Sequence, residues 1–231
     1  MSLDYVLSQD QWFCATICQY PNHQYVRDLI ELLQIDEQAL LMYNNFHGFL
    51  YGFMYRDKEQ QFSSKLIHEF IMRIVNSGKN IEVWVRFDDH LAHFGMQEFC
   101  LITGLPCHEP SINLDFSNPR LRNQYFNGVK RISMRMLHDA FNSCKDREDK
   151  FKFGFVMLIE CVLKPTERHI DYRMLVMVGQ FDDLLLYPRG RKAYFVLLNS
   201  LQQSHFGRIL RMQKAKQREC KYSLHGYPLA F

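Results

Sequence analysis

No apolar run in this 231-residue sequence is long enough to cross a bilayer. The longest, Phe153 to Leu163, is broken by Gly154 and Glu160 and falls well short of the ~20 residues a spanning helix needs. The first residues, Met1-Ser2-Leu3-Asp4-Tyr5, carry no basic region and lead into no apolar block, so no secretory signal is expected. A Gly-rich phosphate loop is missing too: Gly48 and Gly52 are not in Gly-x-Gly-x-x-Gly order, and no P-loop Lys-Ser/Thr is present. There is no internal repeat and no low-complexity tract. The seven cysteines are an odd number without a spaced framework. Five of them (Cys14, Cys18, Cys100, Cys144 and Cys161) fall on predicted helices among apolar neighbours, which favours reduced, buried thiols in an intracellular compartment.

What is abundant is apolar and aromatic. Hydrophobic residues make up 47% of the chain, and nineteen Phe and twelve Tyr supply enough buried area for a substantial core. The net charge of +3 conceals an asymmetry: Arg189 to Lys221 holds nine Lys or Arg and one acid, Glu219. The positive charge is concentrated near the C-terminal end.

The stretch from Ile81 to Cys107 organises the reading of the chain. Ile81, Val83, Val85 and Phe87 alternate with Glu82, Trp84 and Arg86, the period of a half-buried strand. Asp88-Asp89 breaks it as a hairpin turn, and His90 to Phe94 returns as the partner. From Gly95 the period becomes helical, with Met96, Phe99, Cys100 and Thr103 on one face, until Gly104 and Pro106 stop it.

Upstream, Ser8 and Gln11 have capping-box spacing and predict a helix through Trp12, Phe13, Ile17 and Cys18 that ends before Pro21. Val26, Leu29, Ile30 and Leu33 repeat at helical spacing, and residues 40 to 55 fit either a strand or an irregular helix. Ser63 or Ser64 caps a helix whose stripe is Leu66, Ile67, Phe70, Ile71, Ile74 and Val75, ended by Ser77-Gly78.

Downstream, Pro106, Pro110 and Pro119 mark a long loop to Arg120, the best internal boundary. Met134, Leu137, Phe141 and Cys144 define a helix ended by the charged run Lys145 to Lys150. Phe153 to Leu163 reads as the most buried helix, stopped by Pro165. Tyr172 to Leu186 is helical by pattern, Tyr187 to Gly190 a turn, Arg191 to Leu201 a helix, and Ser204 to Glu219 a last basic helix. The expected fold is α+β and mainly α-helical, with helices packed around the hairpin and its short helix. An N-terminal helical segment, 1–39, would join a domain over 40–231 in one compact unit.

Several of these segments together resemble a known family. They are Phe62-Ser-Ser-Lys-Leu, Glu82-Val-Trp-Val, Phe94-Gly-Met-Gln-Glu-Phe-Cys-Leu-Ile-Thr-Gly-Leu-Pro-Cys, Leu186-Tyr-Pro-Arg-Gly-Arg and Tyr222-Ser-Leu-His-Gly-Tyr-Pro-Leu-Ala-Phe. Over roughly residues 40 to 231 the chain resembles the plant-specific domain of unknown function that precedes SUMO-protease-like cysteine peptidase domains in transposon-derived plant proteins. The most specific part is carried by Glu98, Phe99, Leu101, Ile102, Thr103, Gly104 and Leu105. The chain departs from the family's pattern at Arg189, where a Trp follows Tyr-Pro, and in stopping at Phe231, before a Trp-containing segment and the peptidase. The resemblance implies a plant origin, a nuclear setting, an accessory domain without its peptidase, and no assigned activity. At the level of fold there is a looser similarity to the plant mobile domain of transposon origin.

Candidate chemistry is thin. A cysteine peptidase needs a Cys beside a His oriented by Asp or Asn, but His169 and Asp171 precede no Cys in such a context and Cys220 lacks a nucleophile's Gly-rich flanks. His90, His93, Cys100, Cys107 and His108 cluster in sequence, as do Cys14, Cys18 and His23, without zinc-finger spacing. Paired carboxylates at Asp88-Asp89 and Asp182-Asp183 diverge on a strand or a helix. No cofactor, metal or small-molecule substrate is expected. The basic residues Arg189, Arg191, Lys192, Arg208, Arg211, Lys214, Lys216, Arg218 and Lys221 are the candidate nucleic-acid contacts. A second acid-free run, Arg120, Arg122, Lys130, Arg131 and Arg135, adds Tyr125 and Phe126 for stacking. The expectation is a non-catalytic accessory or interaction module with a protein partner. The alternatives are a DNA- or RNA-binding module using residues 189–221, or the remnant of a SUMO-protease-like hydrolase.

Overall fold

The computed structural model describes residues 3–18, 31, 63–109, 119–160, 169–170, 172–179, 187–215, 219–226 and 228–231, with backbone alone at 18, 203–215, 219–220 and 229. The helix expected over Val26 to Leu33, the block 40–55, and Cys161, His23, Asp171, Lys216 and Arg218 lie outside the described residues, apart from Glu31. Within them the fold is mainly α with small sheets, an α+β arrangement.

The hairpin forms as its alternation predicts. Strand β3 (Val83–Phe87) pairs antiparallel with β4 (His90–Phe94), and Asp88-Asp89 is the whole two-residue loop between Phe87 and His90. Asp88 takes a positive φ of 50°, a conformation Asp tolerates better than most residues. Val83 and Val85 are buried, and Gly95 then opens helix α2 (Met96–Thr103). The Glu98 carboxylate accepts from the Gly95 N–H at 2.8 Å, and Gly104, at φ 67°, closes the helix by donating to the Cys100 carbonyl. Phe99 points inward with its ring 5.7 Å from that of Tyr194.

The helix before the hairpin is shorter than its stripe suggests. Helix α1 (Ser64–Met72) is capped by the Ser63 hydroxyl, which accepts from Leu66 N–H. Ile74 and Val75 do not continue it; they form strand β2 against Val85 and Trp84. Both are β-branched, and the pleated surface suits their stiff χ1 better than another helical turn. On its other side β2 receives the N-terminal segment, through Val6 N–H to Ile74 O and Asn76 N–H to Asp4 O.

The capping box at Ser8 yields a single 3-10 turn (Gln9–Gln11), not a helix. Cys14–Cys18 is instead strand β1, paired in parallel with β7 (Glu219–Ser223) from the far end of the chain. Buried His68 of α1 ties the pair together. Its Nε2 faces the Phe13 carbonyl, which can only accept, so in the neutral ring Nδ1 accepts from the Tyr222 hydroxyl at 2.9 Å.

The second half is a helical layer. Helix α3 (Arg120–Phe126) is followed by β5 (Ile132–Ser133), which pairs with β6 (His169–Ile170), and by α4 (Met134–Ser143), capped by Ser133. The charged run Lys145 to Lys150 does not merely end α4. Asp146 caps α5 (Arg147–Leu158) by accepting from Asp149 N–H, and acids in the first turn suit the positive end of the helix dipole. Every residue from Phe151 to Leu158 is buried, as the apolar run predicts. Helix α6 (Tyr172–Gly179) packs on α5 and α3. The turn expected at Tyr187 to Gly190 is already helical from Arg189, and α7 runs unbroken through Arg189–Ala215, so the two expected C-terminal helices are one. Residue 219 belongs to β7, not to that helix. Among the described residues no helix is long and apolar enough to cross a membrane.

Candidate functional site

An open cleft of about 690 Å³ lies where α2 meets the N-terminal half of α7. The hairpin gives it Glu82 and His93, α2 gives Met96, Gln97, Glu98 and Cys100, and α7 gives Arg191 and Phe195. His93 stands opposite Trp84 in the hairpin register, with the ring centroids 4.7 Å apart. Its Nε2 lies 3.1 Å from Glu82 and its Nδ1 3.3 Å from Glu98. Glu82 also accepts from Lys79 and from the Trp84 indole, both at 2.8 Å. These donors, Lys79 foremost, then Trp84 and His93, hold its carboxyl down at about 2. At Glu98 burial pushes the carboxyl up, but the backbone N–H groups of Glu98 and Gly95, with His93, prevail and leave it below the ordinary range.

Arg191 and the two cysteines of the cleft are engaged as well. Arg191 pairs with Glu109 at 2.6 Å and lies over the Phe195 ring. Cys100 and Cys107 form a disulfide with Cα atoms 6.3 Å apart, which corrects the expectation that Cys100 is a reduced core thiol. The helix and the following turn bring the two together, because Gly104 reverses the chain between them. Cys14 is a free, exposed thiol on a strand, which corrects its expected burial on a helix, and Cys144 is a free, buried one. With both cleft sulfurs bonded, His90, His93, Cys100, Cys107 and His108 do not form a ligand set, and among the described residues no group of three or more His, Cys, Asp or Glu converges as one for a metal. His169 sits exposed on β6, paired with Ser133.

The candidate basic segment divides. Arg189 is buried, its guanidinium 5.3 Å from the centre of the Phe155 ring, and burial pushes it down to about 9. A side chain held there faces the core, not a phosphate. Arg191 is half-buried on Glu109, while Lys192 is exposed beside the Tyr187 ring. Arg208, Arg211 and Lys214 lie along the C-terminal half of α7, and Lys221 is exposed on β7.

The second basic run divides as well. Arg120 grips buried Asp149 through its two terminal guanidinium nitrogens, Nη1 and Nη2, and the Tyr125 hydroxyl donates to the same carboxylate at 2.8 Å. Phe126 is buried, and both aromatic rings meet Phe153 edge-on. Neither is available for stacking. Lys130, Arg131 and Arg135 are exposed, and no acid among the described residues lies within ion-pair distance of them. Beside them the fold places an aromatic ring that linear reading missed: Tyr172, with the Arg122 guanidinium 5.1 Å from its centre. The pair is 50 positions apart in sequence, so no local spacing signals it.

A family model described as a domain of unknown function (DUF1985) matches residues 71–200. No curated protein and no solved structure matches the chain.

Proposed function

Since the chain belongs to the DUF1985 family of domains of unknown function, we propose from its surface that it is a non-catalytic interaction module. The observation that carries this is α2. Within Glu98 to Leu105, Glu98 caps the helix, Phe99 and Thr103 fill the core, Gly104 makes the reversal and Leu105 is buried. Leu101 and Ile102 do none of this: they stand 85% and 55% exposed on the outer face. Adjacent exposed apolar side chains on a rigid helix suit a protein partner that presents an apolar surface. The resemblance set out above puts such a module in transposon-derived plant proteins, beside a SUMO-protease-like peptidase. A hydrolase remnant is the weaker alternative, because His93 of the cleft is spent on two carboxylates and the cleft's sulfurs on each other.

The reading is tested with Leu101→Asp/Ile102→Asp. Both positions are exposed, so the melting temperature should move little. Proteins captured from a cell extract by the wild-type chain should be lost by the variant. Identical captured sets would move the interaction away from α2. Turnover of a SUMO fusion by the wild-type chain, abolished by Cys14→Ser, would overturn the non-catalytic reading itself. Direct attachment to nucleic acid is the second reading, favoured by the exposed cations Lys130, Arg131 and Arg135, within ion-pair distance of which no acid lies among the described residues, together with exposed Lys192.

A further inference from the structure

We propose that the surface formed by Arg122, Val129, Lys130, Arg131, Arg135 and Tyr172 binds single-stranded nucleic acid, with phosphates on the cations and a base on the Tyr172 ring. This rests on the nucleic-acid reading just given, and it moves the contact surface away from residues 189–221.

The placement follows from the fold. Residues 116 to 138 contain no Asp or Glu. The turn after α3 folds back on itself: Asn127 and Gly128 both have positive φ, and Val129 N–H donates to the Phe126 carbonyl. Arg122 staples this turn by donating to the Val129 carbonyl at 3.1 Å and to the Gly128 carbonyl. Its hydrogen bonds go to neutral carbonyls, so its charge is not cancelled. The antiparallel β5–β6 pairing, Ile132 with Ile170 and Ser133 with His169, then sends the chain from β6 into α6 alongside the residues that lead into β5. That brings Tyr172 next to Arg122 and to the side of Lys130 and Arg131, with Arg135 following β5 in the first turn of α4.

The ring is what selects the ligand. Tyr172 lies under a guanidinium that is itself pinned, yet 42% of the residue remains exposed, and Val129 beside it is also exposed. An immobilised aromatic face flanked by exposed cations that no acid among the described residues pairs is the combination that holds an unstacked base and its phosphates. A duplex keeps its base faces covered and would use the cations alone. By contrast, residues 189–221 begin with a buried arginine and one already paired to Glu109.

The test is fluorescence anisotropy of the full chain with a labelled mixed-sequence 20-nucleotide DNA, and with the same sequence as a duplex, across a salt series. The single strand should bind more tightly than the duplex, with a log–log salt slope of about −3 for four phosphates neutralised. Tyr172→Ala should weaken single-strand binding by about tenfold and leave the slope unchanged, while Tyr172→Phe restores it. Lys130→Glu/Arg131→Glu/Arg135→Glu should flatten the slope. All these positions are exposed, and thermal melts will confirm that the variants fold. No single-strand binding at 50 mM salt would overturn both this surface and the nucleic-acid reading. Binding that survives these changes but is lost in Arg208→Glu/Arg211→Glu/Lys214→Glu would keep that reading and overturn this surface. Equal binding of poly-glutamate, indifferent to Tyr172→Ala, would identify an acidic polypeptide as the ligand and overturn the proposal.

Discussion

Phe99→Ala, set against Leu101→Ala two residues away on the same helix, probes how α2 is seated. Phe99 is fully buried, in edge-on contact with Tyr194, which in turn donates its hydroxyl to the Ile81 carbonyl at 2.6 Å. Removing the ring therefore loosens α2 from α7 at the point where α7 also anchors the approach to β3. Truncating a buried phenylalanine costs ~3–5 kcal/mol in transfer and cavity terms. The edge-on pair with Tyr194 accounts for part of this, ~0.5–1.5 kcal/mol. In a domain of this size each kcal/mol lowers the melting temperature by ~2–4 °C, so a fall of ~6–20 °C is expected. Leu101→Ala removes an exposed side chain and should change stability by less than ~0.5 kcal/mol. Denaturant unfolding followed by tryptophan fluorescence reads both, with the slope checked for constancy so that the midpoint reports stability. Equal midpoints for the two variants would refute the assignment of the inward and outward faces of α2.

Asp149 is kept below the usual carboxylate range, first by Arg120 and then by Tyr125, against the opposing effect of burial. A depressed carboxyl stabilises the fold above its ordinary pKa and loses that contribution as pH falls toward the folded value. Asp149→Asn should thus cost ~2 kcal/mol at pH 7, with the gap to wild type closing below pH 4; a constant gap in pH-resolved melts would deny the pair this role. At Gly190 a Cβ would stand 2.6 Å from Cys107 Sγ and 2.9 Å from the Leu105 carbonyl oxygen. Gly190→Ala should lose ~1–3 kcal/mol, and an unchanged melting temperature would contradict that close approach.

Where neighbours in sequence supply the partner, the elements are legible. The β3–β4 hairpin, its two-residue turn and α2 are local, and their periods change sharply at Asp88 and Gly95. The apolar run after Lys150 similarly announces the buried core of α5. Where the partner is distant, local signals mislead. Trp12, Phe13, Ile17 and Cys18 fit a helical stripe, but β7, some two hundred residues on, offers a paired edge and the segment becomes a strand. Ile74 and Val75 continue the stripe of α1 until Val85 and Trp84 capture them. The charged run after Ser143 looks like a terminator because the cap at Asp146 is recognisable only once α5 is known to begin there.

The candidate surfaces divide in the same way. The sequence by itself determined the supply of cations, the absence of acids from residues 116 to 138 and the apolar run that begins at Phe153. Only the tertiary structure decided which of these charges are already engaged. It buried Arg189 on Phe155, spent Arg120 on Asp149 and Arg191 on Glu109, and left Lys130, Arg131 and Arg135 in solvent beside Tyr172. The reason is range. Composition and periodicity constrain a residue's own turn or strand, whereas the partner that neutralises a charge or covers a ring is delivered by contacts between segments far apart in the chain.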